Sequence, residues 1–273
     1  MTVMENKAPG TLDAVTACSR IANGTGYSAD GSTRTIAWAL PEEAPIAVQI
    51  NTQAFVVMMA TPADLRDFAT GLMISEGIVT SPAQIRGVLV MPVENGITVD
   101  IAIDEADLEA SRLTKRSIEG RTGCGLCGVE DLSAAIKPLP RVQDRFTPSP
   151  EAVRKSASAL PGQQPMNLVN HSVHAAAWVS PDGSIAIVRE DVGRHNALDK
   201  LIGAVYAAGI DVHGGFVLMT SRCSFELVQK CALSGIGALV TVSAPTALAL
   251  DLARASGLYL AALGRDEPVV FNP

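Results

Sequence analysis

The eight residues Arg121-Thr122-Gly123-Cys124-Gly125-Leu126-Cys127-Gly128 hold two thiols at a Cys-x-x-Cys spacing with a glycine beside each. Glycine admits positive φ and leaves the backbone open. Such a loop can aim successive N–H groups at one negative centre, and a thiolate or a persulfide is such a centre. Arg121, with Lys115 or Arg116, adds positive field that lowers a thiol pKa from about 8.5. The chemistry this fits is sulfur held as a nucleophile or carried as a persulfide. One thiolate attacks an activated sulfur and takes it; the other assists by exchange, shields the charged species, or resolves it.

A second group of polar residues falls at the ends of apolar runs. Glu190-Asp191-Val192-Gly193-Arg194-His195-Asn196, Thr220-Ser221-Arg222-Cys223-Ser224, Ser243-Ala244-Pro245-Thr246 and Gly264-Arg265-Asp266-Glu267 each follow a strand-like segment. Ser, Thr and Asn at these places suit helix caps. Carrying arginines and a histidine as well, the same residues suit an anionic ligand at helix N-termini. Arg194 and Arg222 can fork onto phosphate, and Asp191, Asp266 or Glu267 can accept the N–H donors of a base edge. His195 either locks its loop or serves as a phosphate contact or proton donor, since imidazole titrates near neutrality. A nucleotide or phosphorylated cofactor fits this set.

The elements that must position these groups divide the chain. Its 273 residues, 48% hydrophobic and 18% charged, suffice for a sizeable core in one or two domains. Aromatics are 4%, so the core is aliphatic and alanine-rich. The net charge of -7 argues against a general nucleic-acid binder. No signal peptide or membrane span is legible. Five cysteines do not suggest a disulfide framework, which points to a reducing cytoplasm.

Residues 1 to about 32 lack periodicity and read as a flexible tail, with Cys18 incidental to it. From 33 to 140 the pattern predicts a small α+β domain with an antiparallel sheet, ending in the cysteine loop. It has hairpins at Asn51-Thr52 and Asn95-Gly96 and a helix capped by Thr61 with Pro62 at its first position. A Pro-rich break precedes a domain over 141–273. There strands alternate with helices, predicting parallel strands, apolar throughout, with helices on both faces. The fold class is α/β.

Other chemistries of a Cys-x-x-Cys fit less well. Structural zinc needs four ligands; no second Cys-x-x-Cys exists and the histidines show no matching pair, so we expect no structural metal. A thioredoxin-type motif follows a buried strand, whereas Ser117-Ile118-Glu119-Gly120 is polar. A zinc deaminase needs His-x-Glu, and here no histidine has a glutamate two residues on.

Cys124-Gly-Leu-Cys-Gly128 followed by Val-Glu, the run Glu190-Asp-Val-Gly-Arg-His-Asn-Ala-Leu-Asp-Lys200, and Ser243-Ala-Pro-Thr246 together resemble the formate dehydrogenase accessory sulfurtransferases, the FdhD family. The resemblance covers roughly residues 33 to 268. It implies a cytoplasmic sulfur carrier that accepts sulfur from a cysteine desulfurase. The sulfur would pass to the molybdenum bis(molybdopterin guanine dinucleotide) cofactor of formate dehydrogenase, bound as a substrate. It also implies a cytidine-deaminase-like α/β sandwich in the C-terminal half, without deaminase chemistry. Cys124 matches the persulfide-bearing cysteine and Cys127 its partner. Leu263, Gly264, Arg265, Asp266, Glu267 and Pro268 match the family's cofactor-binding stretch, beside Asp191, Arg194, His195, Arg222, Ser243 and Thr246. Where the family commonly has Thr-Gly-Gly-x-His, this chain has Asn170-His171-Ser172-Val173-His174. Expected partners are the desulfurase, the formate dehydrogenase catalytic subunit and a second copy in a homodimer, with neither nucleic acid nor membrane. A rival reading keeps the cofactor and drops the chemistry: a non-catalytic chaperone for cofactor insertion, with the cysteines as a gate or docking point.

Overall fold

The computed structural model describes residues 18–110, 121–122, 139–264 and 267–272. Thirteen strands are described: β1 (Ser19–Tyr27), β2 (Thr33–Pro41), β3 (Ala44–Ile50), β4 (Gln53–Ala60), β5 (Ile85–Val93), β6 (Gly96–Ile103), β7 (Arg121–Thr122), β8 (His174–Val179), β9 (Ile185–Asp191), β10 (Phe216–Met219), β11 (Ala238–Thr241), β12 (Tyr259–Leu263) and β13 (Pro268–Val270). The described helices are α1 (Leu65–Ser75), α2 (Glu105–Ala110), α3 (Pro150–Ala159), α4 (Pro165–Asn170), α5 (Arg194–Ala207), α6 (Phe225–Leu233) and α7 (Ala247–Ser256).

Alternation shapes the first sheet, ordered β5-β6-β3-β4-β7. Ile46, Val48 and Ile50 of β3 and Val99, Ile101 and Ile103 of β6 turn inward onto Phe68, Leu72 and Met73 of α1. The second sheet, ordered β13-β12-β11-β10-β8-β9, is apolar on both faces. Val217 and Met219 join the core shared with α1, α5, α6 and α7, while Phe216 and Leu218 pack on Val153 and Ala152 of α3. The layers therefore run sheet, helices, sheet, helix, with one apolar core continuous from the first sheet through to the second. Each Leu or Phe buried there contributes roughly 1.5–3 kcal/mol. The α1–α5 crossing is unusually close: a Cβ at Gly71 would lie 1.7 Å from the Asp199 carbonyl oxygen, and one at Gly203 2.0 Å from that of Asp67. No described helix is long and apolar enough to cross a membrane.

Three expectations need correction. The supposed tail supplies a strand: residues 1–17 lie outside the described residues, but β1 pairs antiparallel with β2 along its whole length. Its residues are mostly exposed on both faces, so no apolar alternation announces it. Cys18, just before it, is buried with Met166 and Val173. Thr61 does not cap α1; Asp64 stands at the N-cap with φ 52°, without a side-chain cap bond, because Thr61 is engaged elsewhere. Finally, both sheets are mixed: the first, expected to be antiparallel, has β3 parallel to β6 and β4 parallel to β7, and the second departs from all-parallel. β10, β11 and β12 are parallel neighbours, but β8 runs antiparallel to both β9 and β10, and β13 antiparallel to β12. β8 is alanine-rich and β13 only three residues long with a proline at its start, so neither presents the sustained β-branched run that announces a strand.

Candidate functional site

Parallel strands collect their carboxyl ends at one edge, and the helix that follows each begins there. β9, β10 and β11 lead into α5, α6 and α7 at this edge, and antiparallel β8 starts there. The edge therefore gathers Asp191, His174, Thr220, Val242 and Leu263. From β9 to β12 is four strand spacings, about 19 Å, so only an extended ligand reaches both ends.

At the β9 end, Asp191 is fully buried, and its carboxylate is committed within the protein. Oδ2 accepts the Thr61 N–H at 3.0 Å and lies 2.7 Å from Lys200 Nζ. Oδ1 accepts the Gly193 N–H at 2.8 Å and Asn196 Nδ2 at 3.1 Å. Four donors fill the lone-pair positions of a carboxylate, so Asp191 has no free oxygen for a base edge. It fixes the Val192–His195 turn instead, and Lys200, also donating to the Thr61 carbonyl at 2.9 Å, ties that turn to the end of β4. Thr61 Oγ1 accepts the Val192 N–H at 3.1 Å, which explains why it does not cap α1. Neighbouring Glu190 accepts the N–H groups of Met166 and Asn167 at 2.8 and 2.9 Å, holding the first turn of α4. Burial raises its pKa against those hydrogen bonds.

Around this framework stand groups with free capacity. Gly193 and Ser224, the N-cap residues of α5 and α6, make no side-chain cap bond. Arg194 Nε is buried and has no hydrogen-bond partner among the described residues. His195 Nε2 lies 2.7 Å from Glu226 Oε2 and 3.3 Å from Ser224 Oγ. Burial works against the Glu226 carboxylate, but the hydrogen bond and charge of His195, with Ser224 and Arg194, bring its pKa below the ordinary carboxylate value. His174 is shifted down by burial and by the charges of Arg194 and His195, which favours neutral imidazole. Uncapped helix N-termini beside Arg194 and His195 form an anion-attracting corner.

The other expected residues fall along the same edge. Arg222 and Ser243 are exposed. Thr246 is a plain cap: its hydroxyl accepts the Ala249 N–H at 3.2 Å. Leu263 and Pro268 pair across β12 and β13, and the Gly264 N–H donates to the Glu267 carbonyl at 2.9 Å. Arg265 and Asp266 lie outside the described residues. Glu226, Lys200 and Thr61 escaped sequence reading because their partners come from other elements.

Cys124 and Cys127 also lie outside the described residues, but the strand leading to them does not. β7 pairs parallel with β4, Val56 with Arg121 and Val57 with Thr122. From Val57, β4 continues three residues to Ala60, about 10 Å, and the next residue is Thr61, bonded to Asp191. Of the other cysteines, Cys223 and Cys231 are buried; burial drives the Cys223 pKa up to about 12 and raises that of Cys231 further, so neither is a thiolate.

Residues 41–272 match the model of the FdhD/NarQ family. A protein named sulfur carrier protein FdhD from Bordetella petrii is 46% identical over 219 residues, covering 80% of this chain and 79% of its own. One of the same name from Chromobacterium violaceum is 43% identical, covering 86% and 88%. In structure, the chain is similar to a protein from Desulfotalea psychrophila described as a formate dehydrogenase accessory protein. The TM-score is 0.72 at 24% identity, over 94% of this chain and 97% of that one, which shows a shared fold.

Proposed function

We propose, from the premise that this chain belongs to the FdhD/NarQ family, that it is a sulfur carrier acting as a sulfurtransferase in formate dehydrogenase maturation. A cysteine desulfurase supplies the sulfur, and Cys124 receives it. The Cys124 thiolate attacks the terminal sulfur of the desulfurase persulfide, expelling the desulfurase thiolate and leaving Cys124–S–SH. Delivery as sulfide balances when the Cys127 thiolate attacks Cys124 Sγ: the bond to the terminal sulfur breaks, a Cys124–Cys127 disulfide forms, and sulfide passes to the acceptor. The acceptor is the molybdenum bis(molybdopterin guanine dinucleotide) cofactor, bound as substrate along the sheet edge from Arg194 and His195 to Leu263–Pro268. The same reading takes the C-terminal half as a cytidine-deaminase-like domain without deaminase chemistry, and the site of action as the cytoplasm.

The observation that carries this reading is the attachment of β7. The strand leading to the thiol pair runs parallel to β4, whose far end is hydrogen-bonded to Asp191 at the anion-attracting corner. The test is mass spectrometry of the chain after incubation with a cysteine desulfurase and cysteine. Wild type gains one sulfur, and Cys124→Ala does not. An undiminished adduct in Cys124→Ala rejects the assignment. Full activation of formate dehydrogenase by the Cys124→Ser/Cys127→Ser double variant turns the account into that of a chaperone.

A further inference from the structure

The first sheet has two faces, and they meet different surroundings. Ile46, Val48 and Ile50 of β3 and the inward residues of β6 pack on α1. The residues between them face outward, and the register sets them in rows across the strands. In one row Met91 of β5, Thr98 of β6, Ala47 of β3 and Val57 of β4 are neighbours. In the next, Val93 pairs with Gly96 and Pro45 with Met59, and Gly96 abuts Pro45. A sheet face that meets water ordinarily carries polar residues. Here Val57 is 48% exposed, Met59 47% and Val93 53%, and neither row holds a charged side chain. The nearest carboxylate, Asp100 in the adjoining row, accepts the Thr52 N–H at 2.9 Å. An open apolar face of this kind marks a docking site, and a charge-poor centre bearing methionine is what interface cores select.

What docks there follows from where the chain leads. β7 joins this sheet beside β4, with Thr122 opposite Val57, and Cys124 is two residues further on. Two residues span at most about 7 Å and neighbouring strands lie about 5 Å apart. The Cys124 backbone is therefore tethered within about 12 Å of that of Val57. A protein that hands sulfur to Cys124 by direct exchange must bring its own sulfur into contact with this thiol. A standard interface covers about 800 Å² on each partner, a disc of about 16 Å radius. A footprint of that size centred on Cys124 reaches past Val57. Since α1 already covers the inner face of the sheet, the outer face is the one left to receive it.

We infer that the outer face of the first sheet, around Val57 and Met59, is the docking surface for the protein that donates the persulfide sulfur. The assignment rests on Cys124 being the sulfur acceptor, as proposed above, and adds where the donor sits.

The test uses the full chain as wild type, Met59→Lys and Met91→Lys, with two sulfur donors. One is a cysteine desulfurase with cysteine. The other is inorganic polysulfide, from which a thiolate takes one sulfur and leaves a chain one sulfur shorter, with no protein to dock. Mass spectrometry follows the sulfur gained at Cys124 with time. The two substitutions lie on different strands, so the test stands should one variant fail to fold. Desulfurase loading that slows by roughly tenfold or more in each folded variant, as an unpaired lysine in an apolar interface would give, with polysulfide loading unchanged, supports the assignment. Unchanged desulfurase loading overturns it. Loss of self-association in sedimentation would then give the face to a second copy, and loss of formate dehydrogenase activation would give it to the enzyme being matured. Equal slowing with both donors also overturns it, because the thiols and not the docking are then disturbed. A wild type that the desulfurase does not load rejects the functional reading itself.

Discussion

Asp199 and Lys200 are neighbours in α5, both fully buried, and they serve two different regions. Lys200 pairs with Asp191 and reaches the Thr61 carbonyl, fixing the turn before Arg194 and His195. Asp199 accepts the Ser75 hydroxyl at 2.6 Å and lies 2.9 Å from Lys230 Nζ, clamping the end of α1 to α6. Burial works against both charges and raises the Asp199 pKa, while Asp199 and Glu76 raise that of Lys230; the close contact and the Ser75 hydroxyl favour the ionised pair. The two nodes share their chemistry and differ in surroundings. One sits under a half-buried corner with uncapped helix N-termini; the other is closed inside the helix layer. Burial of a charge thus marks neither function nor its absence, and what the charge orients decides the matter.

This contrast breaks most readily at the aspartates. Asp191→Ala strands the buried Lys200 and should cost about 3–5 kcal/mol in urea unfolding; Asp199→Ala should cost less, because Glu76 remains 3.1 Å from Lys230 Nζ. Only Asp191→Ala should also weaken pyrophosphate binding by the molecules that remain folded; equal weakening by both would erase the distinction. Arg194→Ala should lower affinity for a guanine nucleotide by about 1.5–3 kcal/mol in calorimetry, with stability little changed. An unaltered affinity would remove Arg194 from the site.

Smaller effects sharpen the comparison through pH. The Glu226 carboxyl has a folded pKa below its ordinary 4.5, so its contribution is fully present above 4.5 and is lost as pH falls through the folded value. Wild type and Glu226→Gln should therefore converge in stability as pH drops below 4.5, and a constant gap would deny the His195 contact. Smallest is His174. Its pKa is below the ordinary 6.5, so the folded chain binds fewer protons than the unfolded chain, and stability falls as pH descends from 6.5 towards the folded value. NMR titration should place its midpoint below 6.5; a midpoint above it would mean that the imidazole is not held neutral beside Arg194.

How far the sequence spoke depended on whether the signal was local. β10, β11 and β12 were legible as unbroken apolar runs, α7 from its Thr246 cap, and the β5–β6 turn from Asn95-Gly96. β1 was not, because a mostly exposed ribbon paired along its backbone needs no apolar alternation. The strand-end clusters do fall along one edge of the second sheet, but their sequence does not say which residues stay free there. Asp191 reads as a ligand group until Thr61, Gly193, Asn196 and Lys200 are seen to surround it. Glu226 has nothing near it in the chain to announce His195. These are tertiary facts, made by helices and strands that meet only after folding.

The most direct test of the central claim follows the atom itself. The chain is loaded with radiolabelled sulfur by a cysteine desulfurase, freed of it, and mixed with the molybdenum dinucleotide cofactor. The account predicts that label leaves the wild-type chain and appears with the cofactor, and that Cys124→Ala never carries it. Label that stays on the wild-type chain while formate dehydrogenase is nonetheless activated would contradict sulfur transfer.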